Sequence, residues 1–523
     1  MSCNNKIIDG TELEEINKHY KKGCTLIDDD RKGIEFLNGR QPESKKEETT
    51  YVEYAKQVFG QCFIRTLEDN NEILYYENGV YVSNGENKIK KILLQINPDL
   101  RIHEIKEIIE KIKQITYTPR VDFDVNEFQI CVNNGILDVR TGQLTSHNPS
   151  KLFRTRIPVT FDPKARSVKF VKFLQTALPL PWDYIDKMEA FSTGLIKNSP
   201  KLESLFFETG AGNNGKSTFF TILNWFYGKE NYSTVSIHDF IKNRFAKARL
   251  ENKLINTFPD IENDSLDNFG LLKALVSGDE IDIERKYENP YSFVNHAKMF
   301  FSANELPEIK EKTFATFKRI RLTQWTQIFV KSELYLQQKA ELGTKFPEFS
   351  DLELENELAR NGIHKMNRQF VDDILSDENE KSGILNLLLV VVRHLIKRDD
   401  FFNHYDVEDI QDNWSKNSTV IESFAKECFV TESDTYVIKS EVYQIYYNYC
   451  KAKNKPPKSA NVFHPLFQAQ MSGLEDSKKR INKREVRIYQ GIKWNISNQI
   501  VHKFVTLRNG ETDETSCLEN YSK

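Results

Sequence analysis

The run Gly210-Ala211-Gly212-Asn213-Asn214-Gly215-Lys216-Ser217-Thr218 combines glycines, a lysine and two hydroxyls at the spacing of a phosphate-binding loop. Glycines at such a place let backbone N–H groups turn inward around a phosphate at a helix N-terminus, which residues carrying a Cβ obstruct. Lys216 supplies a mobile positive charge for the β- and γ-phosphates, and the Ser217 hydroxyl completes the coordination of Mg²⁺. The predicted cofactors are ATP and Mg²⁺. The competing reading is an ordinary glycine-rich turn, which would not require the apolar run Leu205-Phe206-Phe207 before the loop and a helix-like Thr218 to Tyr227 after it.

Such a loop needs a carboxylate at the end of a neighbouring strand to hold Mg²⁺ and orient the attacking water. Leu254 to Phe258, followed by Pro259, Asp260, Ile261 and Glu262, supplies two candidates, Asp260 being the one expected on the metal. Side chains alternate along an extended segment, so Asp260 and Glu262 would point the same way; which of them is the catalytic base stays open. Lys298 to Ser302 is a second apolar strand ending near Asn304, an amide able to bond both water and γ-phosphate. About a hundred residues after the loop, Lys318, Arg319 and Arg321 offer cations. A guanidinium suits the charge that spreads over a transferred phosphoryl group, and it can come from a neighbouring subunit.

Positioning these groups requires strands alternating with helices from about Leu202 onward, which predicts an α/β core with a mainly parallel sheet. Upstream, Ile73 to Val82 and Ile130 to Val139 each carry Asn-Gly between β-prone runs and read as hairpins, with helices over Lys88 to Ile115. Arg140-Thr-Gly-Gln-Leu144 reads as a further turn and short strand, and Asp122-Phe-Asp124 as structural acids. Beyond Thr326 the chain reads as charged and helical, and Ile384 to Val392 as a buried helix. The expected divisions are a linker over 1–50, an α+β domain over 51–200, the ATPase core over 201–330, a helical region over 331–415, a DNA-binding domain over 416–497 and a tail over 498–523.

Composition bounds the rest. The 523 residues carry 73 Lys and Arg against 76 Asp and Glu, a formal charge of -3, so any polyanion contact must be local. Hydrophobic residues make up 39%, with 35 Phe and 21 Tyr, too aromatic for a disordered chain. The 7 Cys show no C-x-x-C pair and read as reduced thiols. No apolar run approaches the ~18 residues of a membrane helix, and the N-terminus lacks a secretory apolar core, so a cytoplasmic protein without a membrane partner is expected. Local positive charge does exist: between Gly473 and Asn495, Lys478, Lys479, Arg480, Lys483, Arg484, Arg487 and Lys493 face only Glu475, Asp476 and Glu485. With helices over Lys439 to Lys453 and Asn461 to Met471, that basic end fits a winged-helix module for duplex DNA, a solvated basic hairpin being the plainer alternative.

Taken in order, Asn213-Asn-Gly-Lys-Ser217, the acidic strand end, Leu272 to Asp279, Arg285-Lys286-Tyr287, Phe301-Ser-Ala-Asn-Glu-Leu-Pro307 and Phe317-Lys-Arg-Ile320 resemble the superfamily three helicases. The likeness is to the helicase portion of phage and plasmid primase-helicases, related to the poxvirus primase-helicase. Asn133 to Asp138, Thr141 to Leu144, Pro158 to Pro163, Ser382 to Leu385 and Arg484 to Ile492 extend it. The resemblance implies an AAA+ P-loop ATPase core with an α+β N-terminal domain and a C-terminal winged-helix-like domain. It implies a hexameric ring around single-stranded or forked DNA, moving 3′ to 5′ in the replication of a phage, plasmid or mobile element. Lys216, Ser217, Asp260, Glu262, Asn304 and Arg319 then match loop lysine, hydroxyl, acidic motif, sensor and arginine finger. Arg285 and Lys286 fall in the family's channel hairpin, where Tyr287, Tyr291 and Phe293 could stack on bases. Adjacent acids are usual in the family, whereas Ile261 separates Asp260 from Glu262 here. No clustered primase carboxylates are evident, which implies a separately encoded primase or polymerase partner. The rival readings are a DNA-binding initiator that uses ATP only to assemble, and a P-loop kinase or metabolic ATPase indifferent to DNA.

Overall fold

The computed structural model describes residues 46–197, 202–210, 212–261, 266, 269–304, 306–403, 406–418, 420–452, 460–471, 474–481, 484–498 and 501. Two compact units divide the chain, one running to Phe161 and taking in Tyr287–Tyr291, the other comprising the remainder.

In the first unit, helices Lys46–Phe59, Gly85–Ile96 and Ile102–Thr116 accompany strands β1 (Ile64–Leu67), β2 (Ile73–Glu77), β3 (Val80–Val82) and β4 (Tyr117–Thr118), in sheet order β3-β2-β1-β4. The first helix starts inside the stretch read as a linker. Ile105, Ile108, Ile109 and Ile112, spaced as one helical face, bury against Ile89, Ile92 and Leu93. A second sheet, β7-β6-β5-β8, contains β5 (Gln129–Val132), β6 (Gly135–Asp138), β7 (Leu144–Thr145) and β8 (Arg156–Ile157). Both expected hairpins form, with different turns. Asn78 and Gly79 take positive φ angles of 51° and 94° between β2 and β3, whereas β5 and β6 pair Val132 with Gly135 and leave Asn133-Asn134 as the loop. Gly135 opens β6 as a glycine because a Cβ there would overlap the Thr145 carbonyl oxygen of β7. The Asp124 carboxylate accepts from the Arg154 N–H at 3.2 Å.

The second unit is built on a five-stranded sheet in which every pairing is parallel, order β10-β11-β14-β9-β15. Its strands are β9 (Leu205–Thr209), β10 (Tyr232–Ser233), β11 (Ile255–Phe258), β14 (Lys298–Ala303) and β15 (Ile320–Gln324). β9, β11 and β14 are the expected apolar runs; their continuous burial fits a sheet covered on both faces. β15 overlaps the basic stretch read for its cations, and β10 is too short to leave a periodic signature. Phe207, Phe301, Phe317 and Trp414 meet in the core, with Trp414 Nε1 donating to the Pro307 carbonyl at 2.9 Å. β12 (Glu280–Ile283) and β13 (Tyr291–Val294) form a separate two-stranded hairpin.

The apolar run 384–392 does lie in a helix, Glu378–Arg398, though Val390 is exposed. Glu380, buried in that helix, accepts from Ser167 Oγ at 2.7 Å and the Phe170 N–H at 2.9 Å, capping helix Lys169–Ala177 from outside. Between Thr326 and that helix lie β16 (Ile328–Val330) and β17 (Ile363–Lys365), a parallel pair in a stretch expected to be helical throughout. Toward the C-terminus, helices Val420–Cys428, Lys439–Ala452 and Ala460–Gln470 pack on an antiparallel sheet, order β18-β20-β19, with β18 at Phe429–Ile438, β19 at Glu475–Ile481 and β20 at Arg484–Trp494. Cys62, Cys131, Cys428 and Cys450 are buried and form no disulfide.

Candidate nucleotide-binding site

β9 runs fully buried into Gly210, and helix Lys216–Tyr227 begins immediately after Gly215. Gly210 sits at φ 155°, where a Cβ would overlap Asn214 Nδ2 and the Trp325 carbonyl oxygen. The Asn214 amide donates to that carbonyl at 3.2 Å and its oxygen faces Lys216 Nζ at 3.3 Å. Gly210 is thus required for the packing of the loop on itself as well as for its turn. Gly212 and Gly215 take φ angles of 94° and 95°, and Asn213 takes 49°. Ala211 lies outside the described residues.

Lys216 is 6% exposed. Its Nζ donates to the Gly210 carbonyl at 2.6 Å and reaches Asn304 Oδ1 at 3.4 Å. Burial pushes its pKa down to about 8, and the negative charges of Glu208 and Asp260 hold it up. β11 and β14 bring the acid and the amide here side by side: they pair in register, and the Ile261 N–H donates to the Ser302 carbonyl at 2.8 Å. Gly212, Asn213, Asn214, Gly215, Lys216, Ser217, Thr218, Asp260 and Asn304 all line one cavity of about 880 Å³, large enough for a nucleotide. Glu262 lies outside the described residues.

The same cavity has walls that no motif announced. Helix Lys169–Ala177 contributes Lys172 and Phe173. The end of β17 contributes Lys365, the segment after it Arg368 and the start of helix Phe370–Leu375 Phe370, while β16, paired with β17, is tied to the loop by the Phe329 N–H, 2.7 Å from the Asn213 carbonyl. These residues come from segments without a fixed spacing to the loop, so only an excess of cations and aromatics hints at them.

Arg319 is absent from this cavity. β15 pairs Ile320 with Leu205 and Gln324 with Thr209, so Arg319 sits at the opposite end of the sheet from the loop, about 15 Å along the strand. There its guanidinium meets Glu203 at 2.6 Å and Ser277 Oγ at 3.1 Å.

The expected DNA contacts divide similarly. Lys286 is exposed and Tyr287 is 98% exposed, at the turn of the β12–β13 hairpin. Arg285 pairs with buried Glu251, and Phe293 packs, partly buried, on the sheet core. Tyr291 lies under the Arg120 guanidinium, 4.5 Å from its ring centre. Lys478, Lys479, Arg480 and Arg487 are exposed on the β19–β20 hairpin. Their charge is partly offset: Lys478 meets Glu485 at 3.4 Å, and Arg480 stands opposite Glu485. Lys483 and the Arg484 side chain lie outside the described residues.

Comparison with known proteins follows the same segments. Residues 51–179 match a family described as "D5 N terminal like", and residues 209–319 a "Family of unknown function (DUF5906)". A protein of Acanthamoeba polyphaga mimivirus, provisionally named helicase L207/L206, is 26% identical over 297 residues. The chain resembles the superfamily three primase-helicases. That alignment spans 54% of this chain and 29% of the mimivirus protein. The apo structure of the NrS-1 C-terminal region covers 86% of this chain and 100% of its own, at 11% identity and a TM-score of 0.44. Among the described residues no helix is long and apolar enough to cross a membrane.

Proposed function

We propose that this chain is the motor of an ATP-dependent DNA helicase acting in the replication of a phage, plasmid or mobile element. The observation that carries the reading is the convergence of Lys216, from the start of the loop's helix, and Asp260 and Asn304, from two strand ends, on one nucleotide-sized cavity at the mouth of a phosphate loop. Lys216 would hold the β- and γ-phosphates, and Asn304, already hydrogen-bonded to Lys216, would report whether a γ-phosphate is present. Asp260, with Glu262 as the alternative, would orient the attacking water.

Ser217 and Asp260 fit Mg²⁺. Among the described residues no trio of His, Cys, Asp or Glu is placed to hold a metal, and Mg²⁺ characteristically takes one or two carboxylates together with substrate phosphates and water. When bound it would supply charge neutralisation at the phosphates.

The parallel sheet and loop support an AAA+ core, and the C-terminal helices with their basic β19–β20 hairpin support a winged-helix-like domain, on the divisions 51–200, 201–330, 331–415 and 416–497. Arg319, turned away from its own cavity, suits a ring of subunits, six in number, in which each chain completes its neighbour's site. Movement on single-stranded or forked DNA would be 3′ to 5′, in the host cytoplasm, beside a separately encoded primase or polymerase. The deciding measurement is ATP hydrolysis with and without single-stranded DNA, paired with unwinding of a forked duplex. Stimulation and unwinding are expected, and Lys216→Ala should abolish both. Hydrolysis without unwinding would point to an initiator that only assembles; hydrolysis indifferent to DNA would point to a metabolic ATPase.

A further inference from the structure

A buried charged network lies directly beneath the phosphate loop. Glu208, on β9 two residues before Gly210, is 0% exposed, and Lys187 is 1% exposed. Lys187 Nζ donates to Glu208 Oε1 at 2.5 Å, and Trp325 Nε1 donates to Glu208 Oε2 at 2.7 Å. Both carboxylate oxygens are thereby engaged. Trp325 follows β15; its N–H donates to the Thr209 carbonyl at 2.8 Å and its own carbonyl accepts from Asn214. Its ring packs on Phe219 of the loop's helix, centroids 5.8 Å apart, and on Phe173 of the cavity wall at 6.4 Å.

Such a pair is a costly way to gain stability, because desolvating two charges offsets most of their attraction and apolar residues of similar volume often serve as well or better. What an apolar pair lacks is an acceptor that fixes the indole. We propose that Glu208 is a positioning residue for the nucleotide, holding the Trp325 indole and thereby the Trp325 carbonyl that anchors Asn214 in the phosphate loop. Lys187 Nζ occupies the other carboxylate oxygen, so the carboxylate is held from both sides. The chain of contacts runs from carboxylate to indole, carbonyl, loop amide and Lys216, and the missing Cβ at Gly210 leaves room for the step from carbonyl to amide. The inference rests on the nucleotide reading above.

The test replaces the ion pair by an apolar one, Lys187→Met with Glu208→Leu, and separately makes Trp325→Phe, which keeps the aromatic packing but removes the donor. Thermal unfolding, and kcat and KM for ATP, are measured on the full chain. The apolar pair is expected to melt at or above the parent temperature while KM rises about tenfold and kcat changes less than about twofold; Trp325→Phe should raise KM similarly. Parent-like KM in a variant that folds would overturn the proposal, since a merely structural network would move only the melting temperature. If the apolar pair fails to fold, Trp325→Phe decides alone. A parent chain that binds no ATP removes the nucleotide reading, and this proposal with it.

Discussion

Lys216 titrates in an unusual range for a lysine because the loop buries it. Phosphate binds the charged ammonium, and a pKa lowered to about 8 means that this form dominates below that pH and is lost as pH rises through it. ATP affinity should therefore fall above pH 8, by up to about tenfold per unit, and binding there should take up a proton. Titration calorimetry in buffers of differing ionisation enthalpy would read that uptake, and a flat profile from pH 7 to 9 would refute it. Arg319 presents the opposite case, a cation satisfied within its own chain by Glu203 and Ser277. Arg319→Ala should keep nucleotide binding, read by a fluorescent ATP analogue, and lose hydrolysis by about a thousandfold if the guanidinium serves a neighbouring phosphoryl group. Turnover within a few-fold of the parent would leave only the ion pair as its role.

Among the elements, the β12–β13 hairpin stands out because its turn exposes an aromatic ring almost completely. Tyr287 at 98% exposure beside exposed Lys286 combines a stacking face with a charge, and stacking on a base is worth about 1–3 kcal/mol. Alanine at both positions should leave hydrolysis without DNA unchanged and remove most of its stimulation by single strands; undiminished stimulation would retire the hairpin as a DNA element. On the β19–β20 hairpin the proposed contact with DNA is one of charge. Alanine at Lys478, Lys479 and Arg480 should weaken duplex binding and reduce the slope of log K against log salt by about one for every phosphate that these side chains neutralise. An unchanged slope would mean that Glu485 and its neighbours already neutralise this surface.

For the molecule as a whole, the separation of Arg319 from Lys216 along β9 and β15 means that a site complete in one chain cannot contain both. Hydrolysis per chain should rise with protein concentration, and mixing inactive Lys216→Ala with inactive Arg319→Ala chains should restore part of the activity; no recovery on mixing would exclude a shared site. The loop, the two strand-end groups and the sheet they need were legible in the sequence because each is a local requirement: glycines for a turn, apolar runs for buried strands, a polar residue where a strand meets solvent. β15 was not, since its short run sits among cations that drew attention to themselves, and the turn at Asn133-Asn134 was not, since Gly135 answers to a carbonyl ten residues away in sequence. By itself the sequence determined that a glycine-rich loop follows one strand and that an acid and an amide close two others. Only the tertiary structure decided that Arg319 faces away from the loop's cavity, that Arg285 is bound to Glu251, that Lys172, Lys365 and Arg368 line that cavity, and that Glu208 stands under the loop. Those facts depend on strand register and on contacts between distant segments, and neither leaves a fixed spacing in the chain.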